Sequence, residues 1–407
     1  MNKKTIAVFT GNRAEYGLQF PVLKAINDHK ELEYKLIVSG AHLDENFGST
    51  LEEIKADGFT VDAEVQVNMI PDSIRSTAHA IGTGISSISL ALENIDPDIL
   101  LVYADRFEGF AAVIAGSQMG IPTAHIEGGD LTEGGALDDS VRHAMTKLSH
   151  LHFTTNQQAT NRVLAMGEES WRVHTVGFPA IDLIEAGEVA SPLVLEEKIG
   201  LDLERPVVLF TQHSVTTEYE QAASQVKASL RALQTLATEG VQVIITYPNN
   251  DVGGKKIINE IELLASQHIT NIKIFRSLGR FVYHGLLALA RDPSLRVACV
   301  GNSSSGIKET PVFGCPTVNI GSRQLGRLRA ENVIDANYVT EDIYHAIKSC
   351  LFDPIFRQRA FSCSNPYGIG DAGIKIARVL AETQIDNRLI RKRMTLKGEY
   401  KEGGWCR

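Results

Sequence analysis

Residues 5–39 read TIAVFTGNRAEYGLQFPVLKAINDHKELEYKLIVS, and this stretch decides the fold. Thr5–Thr10 is a short, nearly continuous apolar run, as expected of a strand buried on both faces of a parallel sheet. Gly11 opens a turn. Leu18, Val22 and Ile26 then share one helical face. Tyr34–Ser39 is a second strand. Strand, helix and strand in this order predict a parallel βαβ unit.

The same alternation continues outward. Asp98–Tyr103, Pro122–Ile126, Leu151–Thr155 and Arg172–Val176 read as further strands, and Ile85, Ile88, Leu92 and Ile95 share a helical face. An expected connection, GEVASPLVLEEKIGLDL at 187–203, separates this series from a second one. Strands are predicted there at Pro206–Phe210, Val241–Thr246, Asn271–Phe275, Leu295–Val300 and Pro316–Ile320. The expected fold class is therefore α/β, with two doubly wound Rossmann-like domains facing a cleft, at 1–186 and 204–360. Ligands of such sheets sit beyond the carboxyl ends of the strands, so candidate functional residues should follow strands directly. Neither an internal repeat nor a low-complexity tract is seen. The polar tail from Thr395 is assigned no function.

Length and composition agree. The chain has 407 residues, room for two domains with cores of their own. Lys plus Arg is 40 and Asp plus Glu is 49, giving a formal charge of −9. That balance argues against a nucleic-acid partner held by a general basic field, and leaves room for a nucleotide held locally. The five cysteines are widely spaced and include no C-x-x-C pair, which argues against a disulfide framework and a structural zinc site. The N-terminal apolar run is too short for a signal peptide, and no run approaches the length of a membrane span. A cytoplasmic setting is the expectation.

Gly11-Asn12-Arg13-Ala14-Glu15 follows the first strand. It reads either as an anion site at a helix N-terminus, with Arg13 as a charged donor, or as an ordinary turn. Asp105 follows the strand ending at Tyr103, where it serves either a cleft or a helix cap. From Glu127 to His143, seventeen residues carry five carboxylates and four glycines. Crowded carboxylates repel, which suits acid/base work; a solvated acidic loop is the alternative. His125, His143, His150 and His152 lie nearby without metal-ligand spacing, so no metal site is expected.

In the second half, His213 follows a strand and can donate to a phosphate or move a proton. Tyr247-Pro248-Asn249-Asn250-Asp251 also follows a strand and is a turn signal by itself. Gly301-Asn302-Ser303-Ser304-Ser305-Gly306-Ile307-Lys308-Glu309 is the clearest phosphate signal: a hydroxyl-rich turn between strand and helix, with Glu309 placed where it could take both ribose hydroxyls. Neither G-x-x-x-x-G-K-[ST] nor a complete G-x-G-x-x-G is present, which disfavours an ATPase or a standard dinucleotide enzyme.

Taken in order, GNRAE at 11–15, YADR at 103–106, HIEGG at 125–129, DDSVRH at 138–143, YPNND at 247–251 and GNSSSGIKE at 301–309 resemble the UDP-N-acetylglucosamine 2-epimerase family over about residues 5–385. The loop Gly129–Leu137 and Asn365-Pro366-Tyr367-Gly368 resemble a narrower hydrolysing branch. That branch acts on UDP-2,4-diacetamido-2,4,6-trideoxy-glucose (UDP-diacetylbacillosamine) in legionaminic acid synthesis. The alternative is the sialic-acid branch, acting on UDP-N-acetylglucosamine.

The resemblance implies the glycosyltransferase-B architecture, with a C-terminal segment at 361–390 crossing back to the first domain. It implies elimination of UDP to a glycal and hydration with inversion at carbon 2, with no nicotinamide and no catalytic metal. Asp105, Glu127 and Asp139 become the sugar-side carboxylates. Glu127 and Asp105 are the expected proton-transfer pair, and Asp139 a third acid/base or charge stabiliser. His213, Arg13, Ser304, Ser305 and Gly306 fall at the phosphates, Glu309 at the ribose and Phe281 against uracil. The implied partner is a small UDP-sugar, with neither nucleic acid nor membrane, in a homo-oligomer.

Three rivals are weighed against this reading. A UDP-sugar glycosyltransferase would need an acceptor surface, and the first half shows no basic or apolar stretch suited to one. A non-hydrolysing epimerase would carry a different carboxylate motif from Asp138–His143. A sugar-nucleotide sensor would have no use for the intact carboxylate set.

Overall fold

The computed structural model describes residues 3–43, 51–67, 74–131, 137–187, 189–249 and 252–396. The chain divides into two compact units. The first comprises 1–130, 137–185 and 367–407; the second comprises 131–136 and 186–366.

The first unit is built on seven parallel strands: β1 (Lys4–Thr10), β2 (Leu32–Ser39), β3 (Val61–Val65), β4 (Ile99–Tyr103), β5 (Thr123–Ile126), β6 (Leu151–Thr154) and β7 (Val173–Thr175). Their order across the sheet is β3-β2-β1-β4-β5-β6-β7. The winding direction reverses between β1 and β4, which places a crevice outside their carboxyl ends. β4, β5 and β6 are buried along their whole length, as their apolar runs require.

One face of this sheet packs against Val22, Leu23 and Ile26 of the helix Arg13–Asp28 and against Ile376, Ala377 and Leu380 of the helix Ala372–Glu382. The other face packs against Ile88 and Leu92 of the helix Ile74–Ile95 and Ala111, Ala112 and Val113 of the helix Phe107–Gln118. Each fully buried aliphatic side chain contributes about 1.5–3 kcal/mol.

The second unit repeats the plan with six parallel strands: β8 (Val207–Thr211), β9 (Gln242–Thr246), β10 (Ile272–Phe275), β11 (Val297–Gly301), β12 (Thr317–Ile320) and β13 (Val333–Ala336). Their order is β10-β9-β8-β11-β12-β13, so the reversal falls between β8 and β11.

Two strands escaped the sequence reading, β3 and β13. Both lie at sheet edges and are only partly buried, so neither carries a continuous apolar run. The segment 187–203, expected as a connection, carries regular structure among its described residues. It holds the helix Pro192–Ile199, with Ser191 accepting from Val194 N–H, Pro192 in the first turn and Gly200 closing the end at φ 62°. Among the described residues, no helix is long and apolar enough to cross a membrane.

Candidate active site

In the first unit the switch point carries the carboxylates. β1 runs into Gly11, where a Cβ would stand 2.9 Å from the Glu108 Cβ, so the turn closes directly onto that side chain. Asn12 caps the following helix, its Oδ1 accepting from Glu15 N–H at 3.0 Å. The Arg13 side chain lies outside the described residues.

β4 ends at Tyr103, and Ala104 then adopts φ 57° before Asp105. β5 ends at Ile126, and Glu127 adopts φ 69°. Both are left-handed conformations carried by residues with a Cβ, each costing roughly 1–2 kcal/mol. Such strain gathers where a backbone must aim a functional side chain. The Glu127 N–H donates to Phe153 O at 2.8 Å, tying the turn to β6.

One guanidinium joins the two carboxylate-bearing turns. Arg142 Nη2 donates to Asp105 Oδ2 in a short ion pair, and Nη1 donates to Glu127 O at 3.0 Å. Arg142 is 3% exposed, so the guanidinium side of this charge-assisted contact is buried, while Asp105 keeps partial access to solvent. Arg142 sits on the helix Leu137–Leu148, whose first turn carries Asp139, itself 4% exposed. The structure thus gathers Asp105, Glu127 and Asp139 around Arg142. The Tyr103 hydroxyl is held protonated by burial and by the Glu127 carboxylate near it.

Other acidic residues divide differently from the sequence reading. Asp130 is structural: it accepts from Thr155 Oγ1 at 2.9 Å and Asn156 Nδ2 at 3.1 Å. The carboxyl that burial and the neighbouring Glu108 push up to about 8 is Glu15. Its Oε2 accepts from Gly11 N–H at 2.7 Å, and its Oε1 meets no hydrogen-bond partner among the described residues. Loop residues 132–136 lie outside the described residues.

Three of the four neighbouring histidines make structural bonds. His125 bonds Ala104 O, His150 Nδ1 accepts from Thr123 N–H at 3.0 Å, and His152 pairs with Glu168 at 3.0 Å. Among the described residues, no three His, Cys, Asp or Glu side chains gather as a metal site would require.

In the second unit the switch point is a cradle of small groups. At Gly301, φ is 131° and a Cβ would stand 1.9 Å from Thr211 O, so only glycine fits. Asn302 Oδ1 accepts from His213 N–H at 2.7 Å, and its Nδ2 donates to His213 O at 2.9 Å. This amide clip joins the ends of β8 and β11. His213 Nδ1 accepts from Asn249 N–H at 3.0 Å, and burial together with Arg323 pushes the ring down to about 3. His213 is therefore neutral, with Nε2–H as its donor. Asn250 and Asp251 lie outside the described residues.

Ser303 and Ser304 are partly exposed, whereas Ser305 is buried, its hydroxyl 2.7 Å from Tyr283 Oη and 3.0 Å from Ser303 Oγ. A Cβ on Gly306 would crowd Thr317 Cγ2 at 3.3 Å, so the helix packs tightly on β12. Glu309 Oε2 is 2.9 Å from His284 Nε2. His284 and Tyr283 share the helix Gly279–Ala288 with Phe281, which is 39% exposed.

Arg142, Tyr283, His284 and Arg323 were missed as members of these sites. Arg142 lies inside the DDSVRH motif at 138–143. The other three partner residues distant in sequence, and the one available signal was the run of arginines at 323, 327 and 329 after β12.

Two doubly wound parallel sheets with these strand orders put the chain in the glycosyltransferase-B class of folds. It belongs to the UDP-N-acetylglucosamine 2-epimerase family, whose sequence model matches residues 24–381. It is 33% identical to the UDP-N,N'-diacetylbacillosamine 2-epimerase (hydrolyzing) of Legionella pneumophila, over 96% of this chain and 99% of that protein. It is 33% identical to a UDP-N-acetylglucosamine 2-epimerase of Neisseria meningitidis serogroup B, over 85% of this chain and 87% of that protein. A crystal structure of UDP-GlcNAc 2-epimerase from Neisseria meningitidis bound to UDP-GlcNAc superposes with a TM-score of 0.77 at 20% identity, covering 93% of this chain and all of that one.

Proposed function

We propose that this protein is a hydrolysing 2-epimerase that converts UDP-2,4-diacetamido-2,4,6-trideoxy-glucose and water to UDP and 2,4-diacetamido-2,4,6-trideoxy-mannose, a precursor for legionaminic acid. The observation that carries the reading is the meeting of Asp105 and the Glu127 turn on the buried Arg142. The near full-length likeness to the Legionella pneumophila enzyme favours the trideoxy substrate. The equal identity to the Neisseria meningitidis enzyme keeps UDP-N-acetylglucosamine, giving N-acetylmannosamine and UDP, as the second reading.

In this scheme the bond from carbon 1 to UDP breaks while a carboxylate removes the proton from carbon 2, leaving a glycal. Water then adds its oxygen to carbon 1, and carbon 2 receives a proton on the opposite face. Glu127 and Asp105 serve as the proton-transfer pair. Arg142 keeps Asp105 aimed, and Asp139 supports the positive charge that develops at carbon 1. His213 donates Nε2–H to the diphosphate, joined by Arg13 and the Ser304-Ser305-Gly306 turn. Glu309 takes the ribose hydroxyls, and Phe281 stacks on uracil. The scheme uses neither nicotinamide nor metal. A reducing, cytoplasmic setting and a homo-oligomeric assembly complete the reading.

Kinetics on the two UDP-sugars test it. The higher kcat/KM is expected on the trideoxy substrate, with the free sugar in the manno configuration. A preference for UDP-N-acetylglucosamine would move the protein to the second reading, and turnover of neither would overturn both. Glu127→Gln is expected to lose about 10²-fold or more in kcat while still binding UDP.

A further inference from the structure

His125 is fully buried in β5, two residues before Glu127. Its ring bonds two elements. Nε2 lies 2.6 Å from the carbonyl of Ala104, the residue between β4 and Asp105. Nδ1 lies 3.2 Å from Thr146 Oγ1, on the helix that carries Asp139 and Arg142. Thr146 Oγ1 in turn lies 3.0 Å from the Arg142 carbonyl. A Cβ on Gly128 would stand 2.9 Å from Thr146 Oγ1 and 3.1 Å from His125 Nδ1, so the backbone after Glu127 closes on the same pair.

Burial pushes the imidazole down to about 3, so the ring carries one proton. A carbonyl can only accept, which fixes that proton on Nε2 and leaves Nδ1 as an acceptor. The ring is thus a strut of fixed polarity. It holds the carbonyl of a residue whose φ of 57° is unfavourable for alanine. Asp105 follows directly, and its carboxylate must meet Arg142.

We propose that His125 is a positioning residue, a neutral strut that holds Ala104 in its left-handed conformation and so aims the Asp105 carboxylate at Arg142. The kinetic consequence rests on the epimerase reading above; the geometry of the strut does not.

Two measurements on the full chain test it. The first is nitrogen NMR of protein labelled at its histidines. His125 is expected as the neutral Nε2–H tautomer from pH 5 to 9, and a protonated ring or an Nδ1–H tautomer overturns the strut whether or not any sugar nucleotide is turned over. The second is kinetic. His125→Phe is expected to lower kcat by about 10²-fold with UDP affinity unchanged, since a displacement of about 1 Å is worth that much in rate. Adding Ala104→Gly should recover about tenfold, because glycine takes this conformation without a Cβ penalty. Failure of the glycine to recover any rate, or parallel loss of UDP binding and turnover, overturns the proposal. If His125→Phe does not fold, the tautomer measurement on the unaltered protein decides.

Discussion

Glu15 shows how a single side chain can carry a measurable signature. It is buried beside Gly11, Glu108 and Arg106, with Asp105 also in range, and its pKa is raised to about 8 from an ordinary 4.5. Arg106 Nε is 3.6 Å from Glu108 Oε2, too far to satisfy that carboxylate with a hydrogen bond. The folded protein therefore keeps a proton on Glu15 that the unfolded chain releases. The stability this residue contributes is fully present below pH 4.5 and is lost as pH rises towards 8. Glu15→Gln removes that dependence and preserves an acceptor for Gly11 N–H. The difference in Tm, variant minus parent, is expected to grow between pH 5 and 8 and then level off; a constant difference over that range contradicts a protonated Glu15. Sequence alone could not single this residue out. Glu15 was legible as part of a turn motif, but Glu108, whose charge adds to the shift, lies ninety-three positions away in the chain.

At the scale of elements, the turns after β8 and β11 depend on one glycine. The Cβ of Gly301→Ala would enter the Thr211 carbonyl, and the amide clip between Asn302 and His213 would have to move with it. A loss of more than about 3 kcal/mol is expected in urea unfolding, from backbone strain together with a broken, partly buried contact. A midpoint within experimental error of the parent would contradict the close approach of Gly301 to the Thr211 carbonyl. This part of the site was largely readable, because Gly-Asn-Ser-Ser-Ser-Gly directly after a buried apolar run names both the strand and its turn. The partners of that turn were not. Tyr283 and His284 reach Ser305 and Glu309 from a helix whose sequence carries only an ordinary apolar periodicity. The edge strands β3 and β13 were lost for a related reason: a strand buried on one side only does not announce itself as a continuous apolar run.

At the scale of the whole molecule, the chain leaves the first unit, builds the second and returns to the first from residue 367. The returning helix Ala372–Glu382 is anchored at each end by the first unit's own residues. Asp182 accepts from Ala372 N–H at 3.0 Å and Gly373 N–H at 2.7 Å. Lys4 Nζ donates to the carbonyls of Leu380, Ala381 and Thr383, where the helix dipole favours a cation. Leu380 is fully buried in the same core as β1 and β4. Leu380→Ala is expected to cost about 2–5 kcal/mol in urea unfolding. A change below about 0.5 kcal/mol would mean that the returning helix is a surface appendage and not part of the core.

In the proposed reaction, carbon 2 of a UDP-sugar is deprotonated and reprotonated while UDP leaves. Proton NMR of the reaction in D₂O with UDP-diacetylbacillosamine tests it most directly. Free UDP and a trideoxy-manno sugar carrying one deuterium at carbon 2 are the expected products. Released sugar that keeps its hydrogen and its gluco configuration at carbon 2 would contradict it.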